Sequence, residues 1–535
     1  MRYQVPLPLK RDAHALFLEL EANRFSGIIH SQEIISFETK WSFVTEKPAF
    51  FQQFMNMEAV RRQSLIHIGT NIAITAVGFL STFYFAHVLG PSILGAYFLF
   101  LAYFGLFNLI VDGGLGNAAA KRMSEGKDQE EFYSAAAVLR LILLAVSLVI
   151  LFLFRPYLVD LNASDLFWWL VIALIVNLPF GIAAGGNYGL GKAGVVQGSN
   201  LANNLARIIL QVIFVFFGLQ IAGLAGGFIA GLAIGFLFNY RYLEARFRMF
   251  TRAHLKSLFT FSFWIFLAMS GILILTNIDV VLIGYFMGNS EVGVYRVALQ
   301  LASLGVFVAL ALEYVLFPRF SGWNEEGSYE IIGTALSRAY TYSLVLAVPF
   351  CVGGWLLGDK LLYYFYGEAF TTGTLALMVL LPLYVIYVFQ YLQMMTLNSL
   401  DHPKDSFWIT SVIVIVNIVL NVLLIPVMGI TGAAVATLIA ILISSVLGYF
   451  VLGKYIPMKF ERKSILHIIA ASGIMALIVG GMRFLFPVEN LVYLIVLVIL
   501  GSVVYGVLLL RIDRDIRDEL KAMATQVGIF WPEFL

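Results

Sequence analysis

The chain has 535 residues, of which 60% are hydrophobic and only 12% are charged, and its mean hydropathy is +0.89. A soluble core cannot absorb this much apolar surface, so the composition excludes a soluble globular protein and indicates a polytopic membrane protein. The single cysteine, Cys351, excludes an internal disulfide and a cysteine-based metal cluster, and the net charge of +2 is uninformative by itself.

The first 56 residues differ from the rest of the chain. They mix polar and aromatic residues and contain no apolar run typical of a signal peptide. Two interpretations stay open: a small cytoplasmic or interfacial extension, or sequence that precedes a misassigned start codon. Met55 or Met57 would be a natural start for the membrane unit that follows.

Apolar segments long enough to cross a bilayer recur from residue 66 onward. We count about fourteen, arranged as six, six and two, so the chain is expected to be an all-α polytopic membrane protein. The predicted spans are 66–88, 93–111, 134–154, 166–190, 195–217, 220–240, 260–286, 294–317, 336–357, 373–397, 406–426, 430–452, 465–486 and 491–510.

Lysine and arginine are concentrated in one set of connecting loops. This bias predicts that these loops and both termini lie in the cytoplasm. The opposite loops offer only Arg155, Lys360 and Arg483. An even number of spans agrees with this orientation, and the predicted location is the cell membrane.

Two apolar stretches carry the same phrase, G-x-S-x-x-G-x-Y, at an offset of 198 residues. The offset also pairs Lys121 with Arg319 and Arg140 with Arg338. A generic helix-end turn would explain one copy but not a shared offset, so the chain is interpreted as two copies of one membrane unit. Within the phrase the matching pairs are Gly90 and Gly288, Ser92 and Ser290, Gly95 and Gly293, and Tyr97 and Tyr295.

The repeat also predicts how the halves are related. Six helices separate the copies, so the halves have the same orientation and are parallel repeats with a cavity between them. The phrase itself is interpreted as a hinge or turn, and Gly223 and Gly432 are expected to allow close helix contact. The predicted domains are an N-terminal extension (1–56), an N-lobe (57–256), a C-lobe (257–457), two further spans (458–511) and a cytoplasmic tail (512–535).

Four arginines are candidates for a cationic cavity that holds a phosphate or acidic sugar group. An ionisable residue at the centre of a membrane helix costs about 2.5–3.5 kcal/mol, and arginine binds phosphate oxygens bidentately. Arg207 lies in the middle of the fifth span, Arg140 and Arg338 lie near the inner ends of the third and ninth, and Arg296 begins the eighth. The alternatives stay open that an arginine extends to the interface or pairs with a carboxylate, as Arg296 could with Asp279.

Two carboxylates are candidates for coupling transport to a proton or a sodium ion. Asp279 lies in the seventh span and Glu313 near the inner end of the eighth. A carboxylate that pairs with Arg296 or lies near the interface is the competing interpretation. Asn417 and Asn421 could contact sugar hydroxyls or join helices by hydrogen bonds, which is the commoner case.

No catalytic or metal-binding pattern is found in the sequence. The histidines are scattered, the Walker motif is missing, and the outer loops are too short for a glycosyltransferase or polymerase site. No filter-like loop interrupts the spans, which argues against a channel. The expectation is a secondary transporter that is not an enzyme, with no cofactor, no metal site and no nucleic-acid partner.

Four phrases, in their order and spacing, resemble a known family. They are VLGPSILGAYFLFLAYFGLFNLIVDGGLGNAAAKR, TNIDVVLIGYFMGNSEVGVYRVALQLA, LFPRFS and ITGAAVATLIA. Over about residues 57–511 the chain resembles the polysaccharide and lipid-linked oligosaccharide flippases of the multidrug/oligosaccharidyl-lipid/polysaccharide exporter (MATE/MOP) superfamily.

The resemblance implies a two-lobed transporter with a cationic cavity. It would move a prenyl-(pyro)phosphate-linked oligosaccharide from the cytoplasmic to the outer leaflet by alternating access, for surface polysaccharide or glycoprotein glycan biosynthesis. The implied partners are this glycan, the lipid bilayer, and glycosyltransferases or a polymerase of the same pathway. The alternatives are a multidrug/cation antiporter of the same superfamily, a lipid II-type flippase, or a non-transporting scaffold of a glycan assembly complex.

Overall fold

The computed structural model describes residues 59–158, 161, 162 and 164–527. The predicted extension, residues 1–56, and the last residues of the predicted tail lie outside this part of the chain. Ile66–Leu535 forms one compact unit, and the preceding unit, Met1–Leu65, contributes only the start of the first helix to the described residues. The lobe boundaries at 256 and 457 stay a prediction.

The described residues form sixteen α-helices, which confirms the predicted fold class. Short 3₁₀ segments lie at Arg155–Tyr157, Ser303–Val306 and Glu368–Gly373. The helices are α1 (Ala59–Asp112), α2 (Leu115–Ser124), α3 (Gln129–Phe154), α4 (Leu166–Gly189), α5 (Ala193–Phe216), α6 (Gln220–Arg241), α7 (Arg252–Met287), α8 (Asn289–Ala302), α9 (Phe307–Glu325), α10 (Tyr329–Tyr366), α11 (Thr374–Ser399), α12 (Pro403–Met428), α13 (Ile430–Leu452), α14 (Arg462–Leu485), α15 (Leu491–Ile512) and α16 (Arg514–Val527).

Thirteen segments of the described chain are long and apolar enough to cross a membrane. The first, Ile74–Asp112, contains the second predicted span and most of the first, because α1 continues across a break at Gly90. Each of the other segments matches one of the remaining predicted spans. The span prediction is therefore confirmed, and the protein is a multi-pass membrane protein.

The repeated phrase begins at a helix break in both halves. Gly90 interrupts α1 with a φ of 73°, and Gly288 separates α7 from α8 with a φ of 107°. A positive φ costs glycine little, whereas a side chain with a Cβ would be strained there. The phrase therefore begins at a break in the helix, as the interpretation of it as a turn requires, and a hinge function stays a prediction.

Two tight helix hairpins, α5–α6 and α12–α13, depend on the glycines that the sequence pairs. A Cβ on Gly223 would lie 3.0 Å from Cβ of Phe214, and a Cβ on Gly432 would lie 2.4 Å from the carbonyl oxygen of Leu424. Only a residue without a side chain allows helices to approach this closely. The predicted close contact is confirmed in both halves.

The last two spans pack against α10 in the second half. The Tyr505 hydroxyl of α15 donates a 2.7 Å hydrogen bond to the carbonyl oxygen of Val345. On α14, Nη2 of Arg483 lies 2.8 Å from Oδ2 of Asp359. These helices have no counterpart in the first half, so they make the environments of repeat-related residues unequal.

Large apolar side chains also cover much of the outer surface of the helices. Phe216, Val427 and Leu477 are 77%, 81% and 78% exposed. Water would disfavour such a surface, whereas lipid tails match it. The polar side chains that could contact a hydrophilic substrate therefore lie between the helices.

Candidate functional site

The two copies of the repeated phrase touch each other. We call residues 90–97 and 288–295 the motif end of the molecule. A Cβ on Gly95 would lie 1.7 Å from the carbonyl oxygen of Asn289, and one on Gly293 would lie 2.1 Å from that of Pro91. No real Cβ tolerates such distances. Only glycine allows this backbone contact, which closes the motif end in this structure.

A second contact joins the halves roughly 30 Å further along the helix axis, at 1.5 Å per residue. We call this region, formed by α2 and residues 255–269 of α7, the opposite end. Gly114 has a φ of 75°, and a Cβ there would lie 2.5 Å from the carbonyl oxygen of Ser262 and 2.9 Å from the nitrogen of Phe266. Nζ of Lys121 lies 4.5 Å from the ring centroid of Phe261. The halves are therefore in contact at both ends.

The tyrosine of the first motif copy meets neutral and cationic partners. Tyr97 is 6% exposed, and its hydroxyl oxygen accepts a 2.7 Å hydrogen bond from Nε2 of Gln211, which also donates to the carbonyl oxygen of Leu224. Arg207, one turn earlier on α5, interacts electrostatically with Tyr97. Its Nε is buried and meets no acceptor among the described residues. We call Tyr97, Gln211 and Arg207 the first-half polar centre.

The tyrosine of the second motif copy meets a carboxylate instead. The Tyr295 hydroxyl donates a 2.8 Å hydrogen bond to Oδ2 of Asp279, Nδ2 of Asn421 donates to Oδ1 at 2.8 Å, and the Thr437 hydroxyl donates to Oδ2 at 2.6 Å. Asp279 is 5% exposed. A buried carboxyl group is thus held by three neutral donors from three helices. Nδ2 of Asn417 in turn donates to the hydroxyl oxygen of Thr437 at 3.0 Å. We call this group the second-half polar centre: Asp279, Tyr295, Asn417, Asn421 and Thr437.

Two amide oxygens in the second-half polar centre are left unpaired. Oδ1 of Asn417 and Oδ1 of Asn421 are both buried and meet no donor in the described part of the chain. Nδ2 of Asn421 is fixed by bonds to Asp279 and to the carbonyl oxygen of Asn417, at 2.8 and 2.9 Å. The expectation that these asparagines join helices is therefore confirmed. These two oxygens can therefore accept a hydrogen bond or a cation without breaking an existing bond.

Arg296 lies between the two halves. Its guanidinium carbon is 5.7 Å from the ring centroid of Phe98 on α1. It interacts electrostatically with Tyr384, Tyr295 and Asp279, in decreasing order. Within the described chain, however, no ion pair of 4.0 Å or less joins Arg296 to Asp279. Direct pairing, which the sequence left open, is not observed.

Arg140 is buried, 8% exposed, and its Nη2 donates to Oδ1 of Asp112. Glycines surround its guanidinium: a Cβ on Gly116 would lie 2.8 Å from Nη2, and one on Gly181 would lie 3.0 Å from Nη1. Of the environments considered for this arginine, the structure shows the pairing with a carboxylate.

Arg338, the repeat partner of Arg140, lies in a different environment. Its side chain is 55% exposed, with Nε 3.9 Å from Glu461 and Nη1 3.8 Å from Glu519. Both carboxylates belong to the C-terminal part of the chain, which only the second half carries. No contact of the described residues joins Arg338 to either polar centre.

Glu313 lies at one end of a row of tyrosines on α11. It accepts a hydrogen bond from the Tyr391 hydroxyl. The ring centroids of Tyr384 and Tyr387 are 5.8 Å apart, as are those of Tyr387 and Tyr391. Because Arg296 interacts with Tyr384, the row connects Arg296 to Glu313. Among the described residues, no hydrogen bond joins Glu313 directly to Asp279.

Two members of the polar centres, Gln211 and Thr437, were not predicted from the sequence. Gln211 follows Arg207 by one turn in an apolar span, and Thr437 lies in the small-residue phrase ITGAAVATLIA. The available signal was a polar residue within an apolar span. That signal is weak, because such residues usually join helices without any further role.

Two family models match the chain. Residues 60–323 match the family described as "Polysaccharide biosynthesis protein". Residues 192–504, more than half of the chain, match the family described as "Lipid II flippase MurJ". The two matches overlap and together extend through both halves and into the last two spans.

Two proteins of Haloferax volcanii are similar to the chain over nearly their full lengths. The "Probable low-salt glycan biosynthesis flippase Agl15" is 26% identical over 444 residues, which cover 83% of this chain and 94% of that protein. The "Probable flippase AglR" is 27% identical over 481 residues, which cover 88% and 99%.

Solved structures share the fold. The lipid II flippase MurJ in an inward closed conformation has a TM-score of 0.73 at 18% identity and covers 84% of this chain and 99% of its own. An inward-facing multidrug resistance MATE transporter of the MOP superfamily has a TM-score of 0.58 at 18% identity, with 71% and 94% covered. At this identity the likeness concerns the fold alone.

Proposed function

This chain belongs to the flippase family that the MurJ model describes, within the MOP superfamily, and on that premise we propose that it flips a prenyl-(pyro)phosphate-linked oligosaccharide. The observation that carries the proposal is its similarity to the two Haloferax volcanii proteins, of which it covers 94% and 99%. One of these is named for glycan biosynthesis, and the polysaccharide family model agrees. The MATE structures share only the fold, so they favour no second function.

The loop charges give the orientation of the chain in the membrane. Lys121 and Arg122 lie in the last turn of α2, at the opposite end, whereas the loops near the motif end carry few basic residues. By the positive-inside rule the opposite end and both termini face the cytoplasm of a cell membrane. A glycan that moves from the cytoplasmic to the outer leaflet, as we propose, enters at the opposite end and leaves at the motif end.

Arg207 and Arg296 are the arginines that we assign to the substrate's phosphate groups. Neither has a carboxylate within ion-pair distance among the described residues, whereas Arg140 pairs with Asp112 and Arg338 is exposed to solvent. An unpaired guanidinium between membrane helices needs an anion, and phosphate oxygens fit its planar fork. The prenyl tail stays in the lipid while the glycan passes between the halves.

The second-half polar centre suits a monovalent cation that drives the cycle. The carboxylate of Asp279 supplies a negative charge, and the unpaired Oδ1 atoms of Asn417 and Asn421 supply neutral oxygen ligands. Hard cations such as sodium prefer oxygen ligands of these kinds. A proton on Asp279 would satisfy the charge but leave both amide oxygens unpaired, so the geometry favours sodium over a proton.

The cycle requires the two end contacts to separate in turn. Substrate enters when the contact of Gly114 with α7 opens, and it leaves when Gly95 and Gly293 separate. Backbone contacts of this kind are either formed or broken, which suits rocking of two halves around a fixed site.

Rescue of a flippase-deficient strain tests the proposed function. We expect the chain to restore surface glycan, and we expect Arg207→Gln to abolish the rescue because the phosphate loses a charge-assisted partner. Arg248→Gln serves as the matched control, because Arg248 is an exposed arginine whose ion pairs within the described chain are with Glu130 and Glu131. A correctly inserted wild-type chain that restores no glycan contradicts the function. Full rescue by Arg207→Gln contradicts the assignment of Arg207.

A further inference from the structure

The ion pair between Arg140 and Asp112 lies next to the contact that closes the opposite end. Asp112 is the last residue of α1, and Gly113 and Gly114 follow it with φ values of 52° and 75°. Gly114 then touches the backbone of Ser262 and Phe266 on α7. The carboxylate that neutralises Arg140 is therefore two residues away from the contact between the halves.

The pocket around Arg140 is narrow and is lined by small residues. Gly116, Gly185 and Ala137 contribute to its wall, and its volume is about 10 Å³. The guanidinium lies close to the glycine backbones of α2 and α4, where any larger side chain would displace it. The sequence thus places small residues where the buried guanidinium of Arg140 lies against the neighbouring helices.

Asp112 is the more exposed partner of the ion pair with Arg140. The side chain of Asp112 is 32% exposed, whereas that of Arg140 is 10% exposed. Only Nη2 of the guanidinium has an acceptor among the described residues, and that acceptor is Asp112. An anion that arrives from solvent therefore meets the Asp112 carboxylate first and can replace it on Arg140.

The second half does not repeat this arrangement. The offset of 198 residues places Leu310 where Asp112 would be, and α9 continues through that position without a break. The repeat partner Arg338 faces solvent beside Glu461 and Glu519. The pair and its adjacent break are therefore specific to the first half, as expected of a device that serves one step of a cycle.

We propose that the diphosphate of the lipid carrier competes with Asp112 for Arg140, and that release of Asp112 loosens the contact between Gly114 and α7. This inference rests on the proposed function and adds to it a means by which substrate controls the cytoplasmic opening. A phosphate group carries more charge and more acceptor oxygens than a carboxylate, so it can displace Asp112 from arginine. Binding and opening are then reciprocally coupled.

Binding of farnesyl diphosphate to the purified full-length chain tests the exchange. Asp112→Asn removes the competitor, so the dissociation constant should fall by about tenfold. The double variant Asp112→Asn/Arg140→Gln removes both charges without leaving either one buried and unpaired, and it should lose this gain. Unchanged or weaker binding by Asp112→Asn overturns the proposal, as does a double variant that binds as tightly as Asp112→Asn.

Asp359→Asn is the matched control, because it frees Arg483 from a comparable ion pair between membrane helices. It should leave the dissociation constant unchanged. An equal gain with Asp359→Asn would show that any freed arginine binds the probe, which overturns the proposal. Inorganic pyrophosphate that binds as tightly as farnesyl diphosphate overturns the assignment to a lipid carrier.

Spin labels on α2 and α7 test the link to the opposite end. Ser124→Cys and Phe259→Cys offer exposed positions in a Cys351→Ser background. Farnesyl diphosphate should lengthen the distance between the two labels in the labelled protein. It should leave that distance unchanged in a labelled protein that also carries Asp112→Asn/Arg140→Gln. If the distance changes in neither protein, the proposed link between Arg140 and the opposite end is wrong. If the same preparation flips lipid-linked glycan, only this inference fails; if it flips none, the proposed function fails.

Discussion

The two polar centres have the same architecture and opposite electrostatics. In each half the motif tyrosine directs its hydroxyl into a buried polar group, but Tyr97 accepts from the neutral amide of Gln211 near Arg207, whereas Tyr295 donates to the carboxylate of Asp279. Duplication kept the hydrogen-bonding tyrosine and its backbone and changed the charge of its surroundings. Under our proposal, a symmetric scaffold separates two tasks, binding an anionic substrate and binding a cation.

The repeat-related arginines teach the same lesson. Arg140 is buried in a pocket of small residues with Asp112, whereas Arg338 is exposed between Glu461 and Glu519. The difference arises because the C-terminal helices cover only the second half. Equivalent positions in a repeat therefore do not imply equivalent roles.

The largest expected effect comes from removing the charge of the second-half polar centre. Asp279→Asn should reduce the sodium stimulation of flipping by about tenfold or more, since coupling free energies between sites reach 1–3 kcal/mol. Gln211→Leu removes the partner of the motif tyrosine in the first half, and it should leave sodium stimulation intact. Flipping in proteoliposomes with and without a sodium gradient measures both. Equal losses in the two variants would break the comparison.

The glycine contact at the motif end should respond next. Gly95→Ala and Gly293→Ala each force a methyl group into the facing backbone, which should cost the closed motif end about 1–3 kcal/mol. The population should shift about tenfold toward a state with an open motif end. Gly105→Ala is the control, because a Cβ there would have no neighbour within 4 Å. Spin-label distances across the motif end report the shift, and the same distribution in all three variants contradicts it.

The two tyrosines offer a smaller and more direct comparison. Tyr295→Phe removes a hydrogen bond to a charged acceptor and should cost about 1.5–3 kcal/mol of stability. Tyr97→Phe removes a bond between neutral groups and should cost about 0.5–1.5 kcal/mol. Thermal unfolding in one detergent measures both. A larger loss with Tyr97→Phe would argue against a charged Asp279.

Asp513 lies outside the spans and serves as a reference for the buried carboxyl group of Asp279. Its replacement is expected to have the smallest effect of those considered. Burial disfavours its ionised form, but hydrogen bonds from the backbone of Ile516 and from His467 and Ser464 outweigh burial and hold the pKa of this carboxyl below its usual value of 3.8. Its stabilising contribution is therefore complete at neutral pH and is lost as the pH falls through the lowered pKa.

Asp513→Asn should accordingly cost about 1 kcal/mol at pH 7, because a hydrogen bond to a charged acceptor is stronger by about that much than one to a neutral acceptor. The difference from the wild-type protein should shrink in acid, where the wild type loses the same contribution. Unfolding temperatures at pH 7 and pH 3 provide the measurement. A difference that grows in acid would contradict the lowered pKa.

Much of the fold could be predicted because its signals are local. The doubled phrase placed helix breaks at Gly90 and Gly288, since only glycine readily takes those φ values, and apolar length placed the spans. The site was harder to predict because its members come from distant helices. Thr437 and Gln211 each resemble an ordinary helix-packing residue, and only the folded chain brings them to Asp279 and Tyr97.

The environments of the arginines could not be predicted from the sequence either. Arg140 and Arg338 occupy the same place in the repeat, so pattern alone gives them the same role. What separates them is a three-dimensional difference, a pocket of small residues in one half and added C-terminal helices in the other.

The most direct test of the division of tasks is one proteoliposome experiment with a fluorescent lipid-linked oligosaccharide. Flipping and binding are measured for the wild-type chain, Asp279→Asn and Arg207→Gln, with and without a sodium gradient. We predict that Asp279→Asn still binds the oligosaccharide but gains nothing from sodium, and that Arg207→Gln loses oligosaccharide binding while sodium binding persists. If both variants lose the same property, or if neither loses any, the two halves do not divide the tasks.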